Sequence, residues 1–439
     1  MKKLLSLLPI ILLSASLFAQ DTLTLALEDA LESVLRHNKE VIIAGLDQES
    51  ALAEFKQTNA FILPQINLTY TALATNNPLN AFGFILQQQS IAQSDFNPEL
   101  LNSPNATQNF MTKAEWKQPL VNFDMLYKRK AAHHQINMYA FKATRTKEYV
   151  AYEVKKAYAQ LQLAHQAHHV LDEALETASA IYRTTSNRFE KGFLQKSDVL
   201  NAQVQVATTE SYLTEAKSNV QNASDYLSLL MGIQPSAVYK VDPIEKIAAS
   251  EIADTQVPHN RADFLAMQSA VTAQEDIIRS GKLSYLPKLN AFGEYMFNDQ
   301  EAFGFGSNSY LVGAQLSWTL FNGLATRNVI AQQRIERDKL ITQLNYQKEQ
   351  SQLELNKTRR QIRDARFALT RHETALEQAA EALRILQNRY QQGLVTTNDI
   401  LQAQTLLSQQ KLNQAQAVFN FNTTSAYLQF LTSTSESKK

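Results

Sequence analysis

Three histidines, His165, His168 and His169, stand at i, i+3 and i+4 spacing, which on a helix places three imidazoles within reach of one zinc ion. His168 falls in an apolar seam and the other two flank it. No acid or cysteine completes the set locally, and helical spacing alone is a weak metal signal, so they are read as packed or solvated histidines. The chain has no nucleophile elbow, no P-loop and no Gly-rich phosphate loop. It therefore offers no catalytic, cofactor-binding or metal residue and implies no cofactor; an enzyme is the least favoured class. Asp198 and Asp399 follow Gly192 and Gly393 by a few residues, where a new helix needs an N-terminal acid or a cap.

Those two acids belong to a duplicated motif. Asn187-Arg188-Phe189-Glu190-Lys191-Gly192-Phe193 precedes Ser197-Asp198-Val199-Leu200, and Asn388-Arg389-Tyr390-Gln391-Gln392-Gly393-Leu394 precedes Asn398-Asp399-Ile400-Leu401, with an offset of 201 residues. Each copy ends one helical pattern and starts another, with a glycine where the C-cap requires φ > 0. Each thus predicts a tight tip between two helices. Leu63-Pro64-Gln65-Ile66 and Leu286-Pro287-Lys288-Leu289 repeat at an offset of 223. The extra residues of the first copy fall in a Pro- and Asn-rich loop, 74–109, whose counterpart is about 298–309. Each unit reads helix, strand, loop, strand, long helix, tip, helix.

The helices that carry the tips are long and heptad-patterned. Val154, Ala157, Leu161, Ala164, His168, Leu171, Leu175, Ala178, Tyr182, Thr185 and Phe189 alternate spacings of three and four. Val199, Ala202, Val206, Thr209, Leu213, Ala216, Val220, Ala223, Leu227 and Leu230 continue the pattern after the tip. Leu355 to Tyr390 repeats it in the second unit, and the last helix is weaker, with Gln410 and Gln414 in register. A helix of some 65 residues would be ~100 Å long, the scale of a rod or tube. The chain has only 11 glycines and 10 prolines, which suits few loops.

Between the helices lie four alternating segments. Ile66, Leu68, Tyr70 and Ala72 oppose Asn67, Thr69 and Thr71; Phe110, Ala114 and Trp116 oppose Lys113, Glu115 and Lys117. Leu289, Ala291, Tyr295 and Phe297 oppose Asn290 and Glu294; Tyr310 through Leu320 alternate with Gly313, Gln315, Ser317 and Thr319. No other part of the chain supplies an apolar layer to cover such a sheet. The sharper interpretation is a transmembrane barrel, apolar face to lipid and polar face to water, with Tyr70, Trp116, Tyr295, Phe297 and Trp318 at the interfaces. Four strands cannot close, since roughly eight is the minimum, and open edges cannot sit in lipid. Several copies must share one barrel; three leave room for a pore, so a homotrimer is expected.

Lys2, Lys3 and the apolar run Leu4–Phe18 read as a secretory signal peptide over 1–20, with cleavage near Ala19 and Leu17 at −3, where a small residue is usual. Formal net charge is zero, giving no argument for nucleic acid as a partner, and with no cysteine there is neither disulfide nor lipid-anchor thiol. The expected domains are a first repeat over 21–231 (helix 24–63, strands 65–73 and 110–122, helices 124–190 and 198–231), a linker over 232–258, a second repeat over 259–431 (helix 260–285, strands 288–297 and 310–321, helices 323–391 and 398–431) and a tail over 432–439.

The ordered, duplicated tips, the Leu-Pro strand starts, and Leu120-Val121-Asn122-Phe123 with Leu320-Phe321-Asn322-Gly323 at the strand exits resemble the TolC-type outer-membrane efflux family over the whole mature chain. The resemblance implies a mixed α/β-barrel membrane protein: a homotrimeric 12-stranded outer-membrane β-barrel, four strands per chain, continuous with a long periplasmic α-helical coiled-coil barrel. It implies residence in the Gram-negative outer membrane, with outer-membrane lipid around the barrel, and partnership with a periplasmic adaptor and an inner-membrane transporter that supplies the energy. The family's Asn-Pro and Arg-Pro helix starts are here Asn38-Lys39 and Arg261-Ala262. At the periplasmic gate Tyr390 matches a tyrosine of gate-holding contacts, Val395 stands where some members carry arginine, and Asp399 matches a constriction-ring acid whose second acid is Gln402 here. The alternative for Asp399 is a plain helix-start acid. Gly192, Phe193, Gly393 and Leu394 match the adaptor-docking tips; the alternative is an apolar contact within each turn.

The function expected is a passive exit duct of a tripartite efflux or type I secretion system. The alternatives are a periplasmic coiled-coil scaffold or adhesin stalk, which has no use for amphipathic strands, and a metal-ion efflux variant of the same duct.

Overall fold

A computed structural model of the chain describes residues 22–235, 237–246 and 256–435. The expected signal peptide lies outside those residues, as do parts of the 232–258 linker and of the tail. The elements run β1 (Thr22–Thr24), α1 (Leu27–His37), α2 (Lys39–Gln57), β2 (Gln65–Thr75), α3 (Pro78–Gln87), α4 (Pro98–Asn102), β3 (Thr107–Val121), α5 (Phe123–Glu190), α6 (Lys196–Leu230), β4 (Val238–Lys240), α7 (Ala262–Leu283), β5 (Lys288–Asp299), β6 (Ser307–Ser317), α8 (Ala325–Gln391) and α9 (Thr397–Leu431). Among the described residues no helix is long and apolar enough to cross a membrane.

The single helix expected over 24–63 is instead a strand, two helices and a short 3-10 turn, Thr58–Phe61. The break is Asn38, whose ψ of 131° is extended. Its Oδ1 accepts from the Glu40 and Val41 amides at 2.9 and 3.2 Å, and its Nδ2 donates to the Leu230 carbonyl at 2.8 Å. An asparagine that caps a new helix is worth more there than in a helix interior. Lys39 takes the first helical position without the family's proline.

The compact units do not follow the repeats. One takes the chain up to Ile43, Thr146–Pro258 and Ser351–Thr434; the other takes Ala44–Arg145, His259–Gln350 and the chain from Ser435. Pieces of the two repeats also pack on each other, so each unit draws on both. In the second unit this is plain in the sheet, whose order is β2-β3-β5-β6, all antiparallel, so each repeat donates one hairpin. In the first unit Ile181 and Ala202 of one repeat share a core with Leu383, Tyr390, Ile400 and Leu401 of the other.

The seams carry the first unit's cores. Val154, Ala157, Leu161 and Ala164 pack with Ala30, Val34, Val220 and Leu227. Leu355, Ile362, Leu369, Ala379 and Leu383 are buried along α8. β1 and β4 form a small parallel pair unforeseen from the sequence, from which Tyr239 sends its hydroxyl to Ser228 Oγ at 2.9 Å. His165 Nε2 meets the Tyr239 carbonyl at 2.8 Å.

The sheet places Lys113, Glu115, Glu294 and Asn67 on one face and Ile66, Trp116, Gly293 and Val312 on the other. Pro119, which has no amide to donate, sits near the end of β3, and the register slips between it and Val121. The strand expected over 310–321 stops at Ser317, although the alternation continues through Trp318 and Leu320. Its partner begins at Lys288, opposite Ser317, just after Pro287, so β6 runs out of ladder. The long helix expected from residue 323 begins at Ala325 because Gly323 and Leu324 both adopt φ of +66°. The loop expected over 74–109 contains two helices, α3 and α4.

Candidate functional site

The two tips share one backbone solution. Gly192 and Gly393 have φ of +78° and +76°, and a Cβ on either would meet nothing within 4 Å, so glycine is required there by backbone conformation and not by space. The Gly192 and Phe193 amides donate to the Phe189 and Arg188 carbonyls at 2.8 and 2.9 Å. Those of Gly393 and Leu394 donate to Tyr390 and Arg389 at 3.0 and 2.9 Å. This is the double hydrogen bond of a Schellman C-cap, which usually tucks its following apolar residue against the last helical turn. Here Phe193 is 75% exposed and Leu394 62% exposed, so each tip keeps its apolar side chain in solvent.

Tyr390 lies 5% exposed between three helices. Its hydroxyl shares hydrogen bonds with Thr185 Oγ1 of α5 at 3.1 Å and with Thr397 Oγ1 of α9 at 3.2 Å. The Arg188 guanidinium sits 4.6 Å over its ring and donates to its carbonyl at 3.2 Å. Thr185 and Arg188 stand in the seam and the tip motif without a site role assigned from sequence, and Thr397 is an addition from the structure. The sequence carries a signal: Thr185 is, with His168, one of two polar residues in the seam, and a buried hydroxyl needs a partner. The first-repeat counterpart of Tyr390 is Phe189, which has no hydroxyl and instead lies under Lys196, 5.5 Å from its ring centre.

Asp399 completes a capping box. Its Oδ2 accepts from the Thr396 amide at 2.8 Å and the Thr396 hydroxyl at 2.7 Å, while Thr396 Oγ1 accepts from the Asp399 amide at 3.2 Å. The Thr396 side-chain bond, then its backbone bond, hold the carboxyl below the usual carboxylate range. Asp198 makes half of that arrangement, accepting from the Gln195 amide at 3.0 Å, and Gln195 returns no side-chain cap. Gln402, one turn beyond Asp399, is exposed, and Val395 packs against the Tyr390 core.

The histidine set does not converge. His165 is engaged with Tyr239, and among the described residues no group of three metal-ligating side chains occurs. The sequence reading credited these histidines with no local acid. Glu173 does stand one turn beyond His169, at 3.6 Å, but its carboxylate is bound by Lys411 of α9 at 2.5 Å. That Lys411 bond holds Glu173 below its ordinary range.

On the polar face of the sheet Glu115 is bridged by Lys113 and, at 3.4 Å, by Lys117, with Glu294 directly opposite on β5. The first unit thus positions two apolar tips and a set of buried hydroxyl contacts; the second unit, by itself, presents a charged sheet face.

The family profile described as "Outer membrane efflux protein" matches residues 30–233 and 255–434. The probable outer membrane lipoprotein SilC of Salmonella typhimurium is 22% identical over 266 residues, which is 58% of this chain and 52% of that protein; the match spans about half of that relative's length. Solved structures share the fold, among them the following three. The CmeC outer membrane channel of Campylobacter jejuni has a TM-score of 0.79 at 16% identity, covering 94% of this chain and 87% of that one. CusC gives 0.77 at 14% identity, covering 94% of each. The outer membrane protein VceC of Vibrio cholerae gives 0.76 at 17% identity, covering 93% and 96%.

Proposed function

The chain belongs to the outer membrane efflux protein family, and we propose from that premise that it is the passive exit duct of a tripartite efflux or type I secretion system, working as a homotrimer. The observation that carries this is the four-stranded sheet. It has one apolar and one polar face, and its edge strands, β2 and β6, have no partner beyond β3 and β5 among the described residues. β6 runs antiparallel to β2, so β6 of one copy can continue the ladder into β2 of the next. Three copies give twelve strands and a water-filled lumen. Exposed apolar residues at heptad spacing along α8, Leu353 and Phe367, offer further surface to a neighbouring copy.

In this proposal Tyr390 holds the tip closed by tying α8 to α5 and α9, and Asp399 lends one carboxylate per copy to the constriction. The exposed Phe193 and Leu394 beside Gly192 and Gly393 dock a periplasmic adaptor, and a separate inner-membrane transporter supplies the energy. The amphipathic sheet disfavours a stalk. The test is light scattering with bilayer conductance on detergent-extracted protein. A trimer with small conductance is expected; a monomer that leaves the membrane without detergent would overturn the duct.

A further inference from the structure

The two hairpins of the sheet end differently. β5 and β6 are joined by residues 300–306, whereas β2 and β3 are joined by residues 76–106, at the strand ends away from α2 and α5. The longer connection is built structure. Asn77 Oδ1 caps α3, accepting from the Asn80 amide at 3.2 Å, and Pro78 takes its first position; Asn97 and Pro98 do the same for α4. Phe82 and Phe96 meet edge to face at 5.8 Å, and Ala81 is buried.

This insert is fastened to the polar face of the sheet. Gln88 Nε2 donates to the Gln108 carbonyl at 2.7 Å and to Asn109 Oδ1 at 3.0 Å, and Asn109 Nδ2 donates to Asn298 Oδ1 at 3.0 Å. Ser307 Oγ donates to the Gln87 carbonyl at 2.6 Å. By strand register Asn109 and Asn298 point to the same side as Lys113, Glu115 and Glu294. Asn109, Asn298 and Ser307 are at most 2% exposed. Gln88 Oε1 is buried without a partner, but the Gln88 amide nitrogen, the two asparagines and the Ser307 hydroxyl are each hydrogen-bonded, and together they hold the segment in place. The fastening also reaches β3, β5 and β6, so it joins the insert of the first repeat to the hairpin of the second. Had the insert belonged to the lipid side, its anchors would have alternated onto the face of Tyr70 and Phe110 instead.

We propose that residues 76–106 form a lid over the outer mouth of the barrel, pinned on its luminal face, so that this end limits the size of what passes independently of the helical tips. The proposal rests on the duct reading for its lumen. The chain has no cysteine, so one introduced thiol is the only one present. Thr69 lies on the polar face opposite Lys113 and serves as the reporter. Intact cells carrying Thr69→Cys are treated from outside with a small charged maleimide or a bulky polyethylene-glycol maleimide. This is done with the lid intact, with 76–106 replaced by the 300–306 connection, and with Gln88→Ala, which unpins the lid should the shortened chain fail to fold. The small reagent is expected to label all three. The bulky reagent is expected to label only the shortened and unpinned variants. Equal bulky labelling with the lid intact, or none in any variant, overturns the lid while the duct stands. No labelling even by the small reagent means that this face is not a water path, and then the duct falls and the lid with it.

Discussion

Thr185 Oγ1 and Tyr390 Oη share a 3.1 Å hydrogen bond across the two repeats, in a site that leaves Thr185 with no exposed surface. Tyr390→Phe strands two buried hydroxyls, Thr185 and Thr397, at a cost of about 1–3 kcal/mol. If this contact latches the tip, Tyr390→Phe raises single-channel conductance while the oligomer persists. The double change Thr185→Val with Tyr390→Phe should recover part of the stability, since it removes one stranded hydroxyl while Thr397 still lacks its partner. A melting series with conductance on the same preparations reads both. Unaltered conductance in a destabilised Tyr390→Phe trimer would reduce the contact to packing.

Asp399 tests the constriction separately. Its carboxyl is held below the ordinary range by Thr396, so the folded pKa lies under the unfolded value of about 3.9. A group depressed in this way contributes stability above the unfolded pKa and loses it only as pH falls through the folded one. Between pH 7 and pH 5 the carboxylate therefore stays charged, and any cation preference it confers should be flat across that window. Asp399→Asn should lower cation preference, measured as reversal potential under a salt gradient. An unchanged reversal potential would leave Asp399 as the capping-box acid alone.

The duplication, the seams and the two tip glycines were legible because each is a local pattern: a spacing, a required positive φ, an alternation. What escaped depends on distant partners or on reading one signal two ways. Asn77-Pro78 and Asn97-Pro98 suggest a loop by composition, yet an asparagine followed by proline is also a cap and a first helical residue. Asn38 matches a family helix start, yet without the proline the span 24–63 reads as one helix, and its partner Leu230 is brought to it only by the fold. The end of β6 is set by where β5 begins, which no alternation in β6 records. Tyr390 and Asp399 could be picked out by resemblance, but Thr185 becomes the partner of Tyr390 only through the fold.

Phe193 and Leu394 stand clear of their own turns, so charge there should cost the fold little. Phe193→Asp and Leu394→Asp are expected to change stability by no more than about 0.5 kcal/mol, as surface substitutions do. Crosslinking to the adaptor in cells should fall, and most when both are changed. Retained crosslinking and retained drug resistance in the double variant would remove these residues from the docking surface.

Asp263 supports the start of α7. Arg261, only 3% exposed, grips it through Nε and Nη2 at 2.7 Å each, Arg145 lies 3.9 Å away and Gln347 donates at 2.8 Å. Burial pushes the carboxyl up, but the Arg261 hydrogen bonds and the charges of Arg261 and Arg145 outweigh it and hold the group below its ordinary range. Asp263→Asn removes the carboxylate from a buried guanidinium, which should destabilise the fold by about 1–3 kcal/mol. Because the folded pKa is depressed, the wild type keeps this contribution above the unfolded carboxylate value and loses it as pH falls through the folded one. Thermal unfolding of both proteins across falling pH should therefore show curves that converge in acid. Parallel curves would mean that Asp263 holds α7 by hydrogen bonding alone, without a contribution from its charge.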